Sequence, residues 1–508
     1  MRRTLAVLAA LAIPTMSFAW TAPIGVPAPP FPTDLDVARP TLPNPWSAET
    51  AGFYFVSKSS CSDSRAQGTP SAPRCSLPSS VSAGAVIVVN GTYGDEENIS
   101  YRGTAADPVW IMGYDPSNKP NLTNLWSFNG SYVIADSLKW TLNTRDSVGL
   151  DGDHFMLRNS EMANSYGAAN GANFYTAGSF TVFYKNVVSQ AGDWQHSGAD
   201  IDRQGIKVTG GTSDLWILDS QFYHCQSDGV QVGDQNNASS AINRVYIARN
   251  IAYENLQFGF WTKNATDVVF SENTIYNQSR STASGPGGGV GGQYDPRYVW
   301  FIANHIYNSN TGIHVASTSN GGGGPWYAIG NVIHNISSGG DCNAYNAGAI
   351  SFRNDGGFTV LFNTIHDVDF FIGAPPSGGS YIVRNNIISA KKSGSCSAFV
   401  LEKSVTHDYN LFSNSTYNPG GESNAVIGNP LFVTIGQLFA ILTGSPAINK
   451  ANPTEEAAFA AYQTRYGVDI RRDLNGVRRP QNSRWDIGAY ESDANVISPS
   501  PPTNLRAN

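Results

Sequence analysis

Between about residues 150 and 415 one short phrase keeps returning: a β-branched or aromatic run, an asparagine, then an alternating apolar pair. Its copies run from Val245 to Asn250, Val268 to Ile275, Val299 to Ile306, Trp326 to Ile333 and Val360 to Ile365. With Asn159, Asn186, Asp219 and Asn386 added, the punctuating residues recur about every 23 to 33 positions, the length of one solenoid coil. One coil cannot bury its apolar face alone, whereas stacked coils share a continuous core. The asparagines would occupy the same turn of successive coils, where a side-chain amide can bond backbone groups and the next copy.

A second strand follows many of these turns, usually opened by glycine: Gly205 to Thr209, Gly229 to Gly233, Gly259 to Lys263, Gly312 to Ala316, and Ala349 to Arg353. Period-two alternation sends Ile206, Val208, Val230, Val232, Phe260, Ile313, Val315, Ile350 and Phe352 inward. Two outward rows remain. One holds Lys207, Gln231, Trp261, His314 and Ser351; the other holds Thr209, Gly233, Lys263, Gln293, Ala316 and Arg353. Such a strip of polar, basic and aromatic groups suits a chain of sugars better than a small ligand.

Composition agrees with a turn-rich β protein. Charged residues are 14%, against an average of about 25%, with 51 glycines and 11% aromatics. A net charge of −7, with no basic run, argues against a nucleic-acid partner. It also means that an acidic polysaccharide would need Lys, Arg or a bound cation in its groove.

Residues 1–19 read as an export signal, with Arg2 and Arg3, a short apolar stretch and a small-residue cleavage site ending at Ala19. No stretch offers 18 uncharged apolar residues, so no membrane span is expected. The chain is therefore read as bacterial and exported, to the periplasm or beyond, and as a monomer. Export permits disulfides, with Cys61 to Cys75 the first pair and Cys342 to Cys396 the second. Closing the first loop would contribute about 3 kcal/mol. Cys225 is left as a buried thiol.

The expected layout is an extended segment over 20–50, a coil stack over 51–435, a closing segment over 436–492 and a disordered tail over 493–508. Within the closing segment, Thr454 to Tyr466 reads as one helix, with acids in its first turn and Gly467 beyond its end, placed as a cap on the last coil.

Gly84 to Tyr93 and Gly103 to Gly113 upstream, with Gly428 to Phe432, Ser445 to Asn449, Asp473 to Pro480 and Asp486 to Glu491 downstream, make the chain resemble right-handed parallel β-helix proteins of the pectate-lyase-like family. The resemblance covers most of residues 80 to 492 and implies an all-β solenoid with a small C-terminal capping segment containing one helix. Lys263, followed by Asn264 and the Val268 to Asn273 run, is similar to the segment carrying the catalytic lysine in some β-helix lyases of uronic-acid polymers. Some of those enzymes place an arginine one coil beyond the lysine, where this chain has Gln293.

β-Elimination needs a base for the C5 proton of a uronate and something to neutralise the adjacent carboxylate. A free lysine titrates near about 10.4, and a nearby cation would favour its basic form. Asp200, Asp202, Asp228, Asp234 and Glu254 come from neighbouring coils and supply oxygens for Ca²⁺. The expectation is thus a secreted lyase of an acidic polysaccharide. Its catalytic candidates are Lys263 and His314, and its sugar contacts Lys207, Gln231, Trp261, Gln293 and Arg353. A hydrolase using paired carboxylates and a non-catalytic carbohydrate-binding protein are the alternatives.

Overall fold

A computed structural model of the chain describes residues 20–167, 170–195, 202–236, 238–278, 287–316, 323–337, 348–352, 356–373, 380–392, 405–413, 422–481 and 484–492. The export signal, the tail, Cys342 and Cys396 lie outside the described residues. Within them the strands form three long parallel sheets whose members are successive coils. The rear sheet has 14 strands and begins with Phe53–Ser57. The side sheet has 14 and begins with Thr92–Tyr93. The front sheet has 10 and runs from Glu97–Ile99 to Gly348–Phe352. Each coil passes from rear to side to front, which is the right-handed parallel β-helix expected of the repeat.

The corner between rear and side sheets carries the asparagine ladder. Asn250, Asn273, Asn304, Asn331, Asn363, Asn386 and Asn410 are fully buried. The backbone N–H of Asn304, for example, donates to Asn331 Oδ1 at 2.9 Å, and its amide donates to Phe270 O at 2.9 Å. Two members of the expected series are displaced by one residue. Ser160 and Ser220 occupy the ladder position, their hydroxyls accepting Leu138 N–H and Asn186 N–H. Asn159 and Asp219 instead take the preceding left-handed position, at φ 52° and 49°. A hydroxyl can accept the same bond, so the ladder passes through serine where no asparagine marks it.

All nine front-sheet residues expected inside are 1% exposed or less and share one core. The row of glycines before them has a steric cause. A Cβ on Gly229 would lie 2.7 Å from Gly259 O, and one on Gly259 would lie 2.9 Å from Gly289 O and 2.7 Å from the Ile275 side chain. The chain bends too closely against the next coil for any side chain there.

The rear-sheet strands read as continuous apolar runs because they are covered on both faces. Val299 and Phe301 face the interior, whereas Trp300 and Ile302 pack outward against a second core containing Ile24, Val26, Phe31, Leu35 and Tyr462. Residues 20–46 form a strap that runs against the direction of coil growth as far as Ile24, beyond which Thr21 and Trp20 turn back to Arg249 and Asp219. Leu35 O accepts from Arg158, Pro27 O from Trp216 and Ile24 O from Ser271.

The helix Ala457–Tyr466 ends at left-handed Gly467, as expected, but it starts later than Thr454, so Glu455 and Glu456 precede it and its first turn holds no acid. It does not cap the last coil. It lies along the rear sheet, with Tyr462 edge-on to Trp300, Arg465 and Tyr466 bonded to Asp267, and Phe459 against Phe362 and Trp485. The outward Trp300, Tyr246 and Phe362 need cover, and the helix supplies it where the strap ends. The hairpin Phe432–Thr434 with Leu438–Ile441 covers late coils of the side sheet, where Phe439 packs on His334 and His366. Both terminal segments thus cover the rear and side sheets.

Cys61 and Cys75 are disulfide-bonded, and Cys225 is fully buried with its thiol pushed up to about 12 by that burial. Among the described residues no helix is long and apolar enough to cross a membrane.

Candidate active-site cluster on the front sheet

The strand register brings the first outward row together as expected: Lys207 pairs with Gln231, Gln231 with Trp261, Trp261 with Gly291, Gly291 with His314 and His314 with Ser351. Most of this row is not open to solvent. Gln231 is 3% exposed, Trp261 5% and His314 4%. Gln231 donates to Gly233 O at 3.1 Å. His314 Nδ1 lies 2.5 Å from Ser351 Oγ.

Trp261 is therefore not the exposed sugar platform expected of it. Its indole stacks on Phe258 at 4.1 Å and covers Gly291, where a Cβ would meet the ring at 2.7 Å. The bulk missing at Gly291 is filled by the protein itself. Gly233 is likewise a close approach rather than a clearing, since a Cβ there would lie 2.2 Å from Lys263 O. His314, stacked 6.0 Å from both Phe258 and Trp261, belongs to the same buried layer and not to an open groove.

The second row is more open. Lys263 closes the strand Phe258–Lys263, pairs in register with Gln293, and both are half-buried. Among the described residues the Lys263 ammonium has no hydrogen bond or ion pair, but Asp228 and Asp234 both lie within its electrostatic reach. Lys207 bonds Asp234 at 2.8 Å. Burial tends to raise the Asp234 carboxyl, yet the hydrogen bond and charge of Lys207 bring it below the ordinary range.

Asp228 is the most perturbed group here. It is 1% exposed, and its Oδ1 accepts the Phe258 N–H at 3.0 Å. Burial pushes its carboxyl up to about 8, with Asp202 adding to the rise and Lys263 and Lys207 opposing it. It is therefore protonated at neutral pH. Asp202 is half-buried and accepts from Gln257 at 2.7 Å and Ser227 at 3.3 Å.

The four described members of the five-acid set are not assembled into one cluster. Asp234 is held by Lys207, and Glu254 bonds His224 at 2.8 Å at the edge of the side sheet, where Trp194 stacks on that histidine. Asp200 and Arg353 lie outside the described residues. Among those described, no group of three or more His, Cys, Asp or Glu side chains could hold a metal. Asp202 and Asp228 are the part of the set that does face together, and a cation there would need further oxygens from substrate or water.

Sequence reasoning missed the row formed by Gln204, Asp228 and Phe258. Each directly precedes a row glycine, so all three share one register position. Gln204 Nε2 reaches Gln231 Oε1 at 3.5 Å, linking this row to the next.

No family model and no curated protein matches the chain. Among solved structures it is similar to pectate lyase Pel9A, at 15% identity and TM-score 0.44, covering 87% of this chain and 96% of that one. It is similar to the PL6 family alginate lyase AlyGC at 12% and 0.43, covering 81% of this chain and 57% of that one. The catalytic unit of a thermostable GH87 α-1,3-glucanase from Streptomyces thermodiastaticus matches at 10% and 0.44, covering 68% and 62%. The fold assignment rests on the strand register.

Proposed function

We propose that the chain is an exported lyase cutting an acidic, uronate-containing polysaccharide by β-elimination, with Lys263 as the base. The observation that carries this reading is the Lys263 ammonium without a partner among the described residues, half-open at a strand end beside the buried, protonated Asp228. In its amine form Lys263 takes the C5 proton. The released electron pair forms the C4–C5 double bond, the C4–O bond breaks, and the leaving oxygen takes a proton from water. Gln293 stands in register beside the base, and Lys207, two coils earlier and bonded to Asp234, would contact a neighbouring sugar.

Asp202 and Asp228 are the residues that would hold Ca²⁺, Asp228 giving up its proton to do so. When bound, the cation would neutralise the uronate carboxylate and acidify the C5 proton. In this reading His314 and Trp261 act from beneath, fixing the layer on which Lys263 stands.

The Asp202 and Asp228 pair also supports a second reading, a hydrolase in which a protonated carboxyl works opposite a second one. Incubation with pectate, alginate and other uronate polymers, with and without a chelator, separates the two. Ultraviolet absorbance from the new double bond supports the lyase. Reducing ends released without absorbance favour the hydrolase, and no cleavage of any polymer defeats both.

A further inference from the structure

At the corner between rear and side sheets, far along the coil from the front-sheet cluster, lies an open cavity of about 370 Å³ lined by Arg39, Lys119, Asp136, Ser137, Arg158, Asn159, Lys185 and Pro116. Its volume falls within the range of about 300 to 1,000 Å³ usual for small-ligand sites. Four cations thus line the cavity with a single carboxylate, in a chain whose overall charge is −7.

The fold builds this arrangement. Strands Ser131–Asp136 and Asp153–Arg158 place Asp136 beside Arg158 in register. Arg158 Nε donates to Asp136 at 2.5 Å and its Nη1 to Leu35 O at 2.9 Å, both side chains being buried. The strap then brings a second guanidinium to the same carboxylate: Arg39 Nε lies 4.0 Å from Asp136, buried and without a hydrogen-bond partner. Lys185, in a left-handed turn at φ 53°, and Lys119 stand at the walls. They bond Asp36 and Glu161, each at 2.6 Å, and neither acid lines the cavity. Lys139 also reaches Glu161 at 3.6 Å and Asp115 lies in the field of Arg39, so the excess of cations belongs to the cavity wall itself. Arg39 Nη2 donates to Gly113 O while its buried Nε–H is unmet, and two guanidiniums sharing one buried acid make a wall suited to an added oxyanion.

We infer that this cavity is a second, non-catalytic site that binds the carboxylate of an acidic sugar, anchoring the polymer on the opposite corner of the solenoid from the front sheet. The choice of a sugar carboxylate over an inorganic oxyanion rests on the proposed function. The charge geometry does not.

The test uses the full chain carrying Lys263→Ala, so that ligand is not consumed. Short oligogalacturonate and oligomannuronate are titrated calorimetrically, beside a neutral oligoglucan of equal length and inorganic sulfate. A uronate binding event should weaken roughly tenfold in Arg39→Gln, and as much in Lys119→Ala with Lys185→Ala, which alters only wall residues. The neutral oligomer should show no such event. Uronate affinity unchanged in both variants, no uronate binding at all, or equal binding of the neutral oligomer overturns the site. Arg39-dependent sulfate binding without uronate binding overturns the sugar assignment. Arg39-dependent uronate binding by a protein whose unmutated form cuts no polymer defeats the lyase reading and keeps this site.

Discussion

The Tyr462 hydroxyl donates to the carbonyl of Gly25 at 2.5 Å across 437 positions of sequence, joining the helix to the strap over the rear sheet. Gly25 has φ 77°, and a Cβ on it would lie 2.8 Å from that hydroxyl. Tyr462→Phe should cost about 1 kcal/mol, the net value of one hydrogen bond. Gly25→Ala should cost more, through both strain and clash. Urea denaturation of the two variants and their combination checks this, and a fully additive pair would mean that the contact is not shared.

Asn304→Ala removes an amide that bonds the coils on both sides and leaves its neighbours' buried groups unmet, so a loss of about 1–3 kcal/mol is expected. Asn159→Ala, off the ladder, should change stability far less. Equal losses in thermal unfolding would remove the distinction between the two positions.

Asp228 titrates near 8 in the folded protein, far above an unfolded aspartate at about 3.9. The native state therefore holds the extra proton between those values, and stability contributed by the neutral acid declines as pH rises through that window. Asp228→Asn should flatten this decline relative to the unmutated protein in melts from pH 4 to 9. Added Ca²⁺ should raise the melting temperature of the unmutated protein above pH 7 and leave Asp228→Asn unmoved.

His305 and His334 share a hydrogen bond at 2.9 Å, and burial pushes them down to about 4 and about 3. His305 and His366 lower His334 further. Here the unfolded chain takes protons first, so stability is present above about pH 6.5 and is lost as pH falls toward 4. His334→Phe, which keeps the aromatic contact with Tyr307 and Phe439, should reduce that acid loss. Unchanged acid dependence would show that the pair is not responsible.

Lys263→Ala should abolish release of unsaturated product while leaving the melting temperature within about 1 °C, since a half-exposed lysine without a partner among the described residues contributes little to stability. Retained elimination would move the base elsewhere.

The ladder from Asn250 to Asn386 and the inward set of the front sheet were legible because each rests on a period that one residue type marks. Ser160 and Ser220 broke the first signal by supplying the same acceptor from a different side chain. The burial of Trp261 and the high-titrating Asp228 were not legible, because each depends on what the stacked coils place around it: Gly291 for the indole, and burial with Asp202 nearby for the carboxyl. The helix itself was legible over Thr454 to Tyr466, although it begins only at Ala457. Its seat on the rear sheet was not, since the continuous apolar runs of that sheet call for an outer cover without saying which segment supplies it.

The strap has a consequence for the order of assembly. Protein chains emerge N-terminus first, yet Leu35 meets Arg158, Pro27 meets Trp216, Ile24 meets Ser271 and Gly25 meets Tyr462. Leu35, Pro27 and Ile24 wait on successively later coils, Thr21 and Trp20 turn back to Arg249 and Asp219, and the Gly25 bond to Tyr462 waits longest of all. The strap is seated piecemeal as the coils appear, and its last lock, the helix over Gly25, closes only when nearly all of the chain exists.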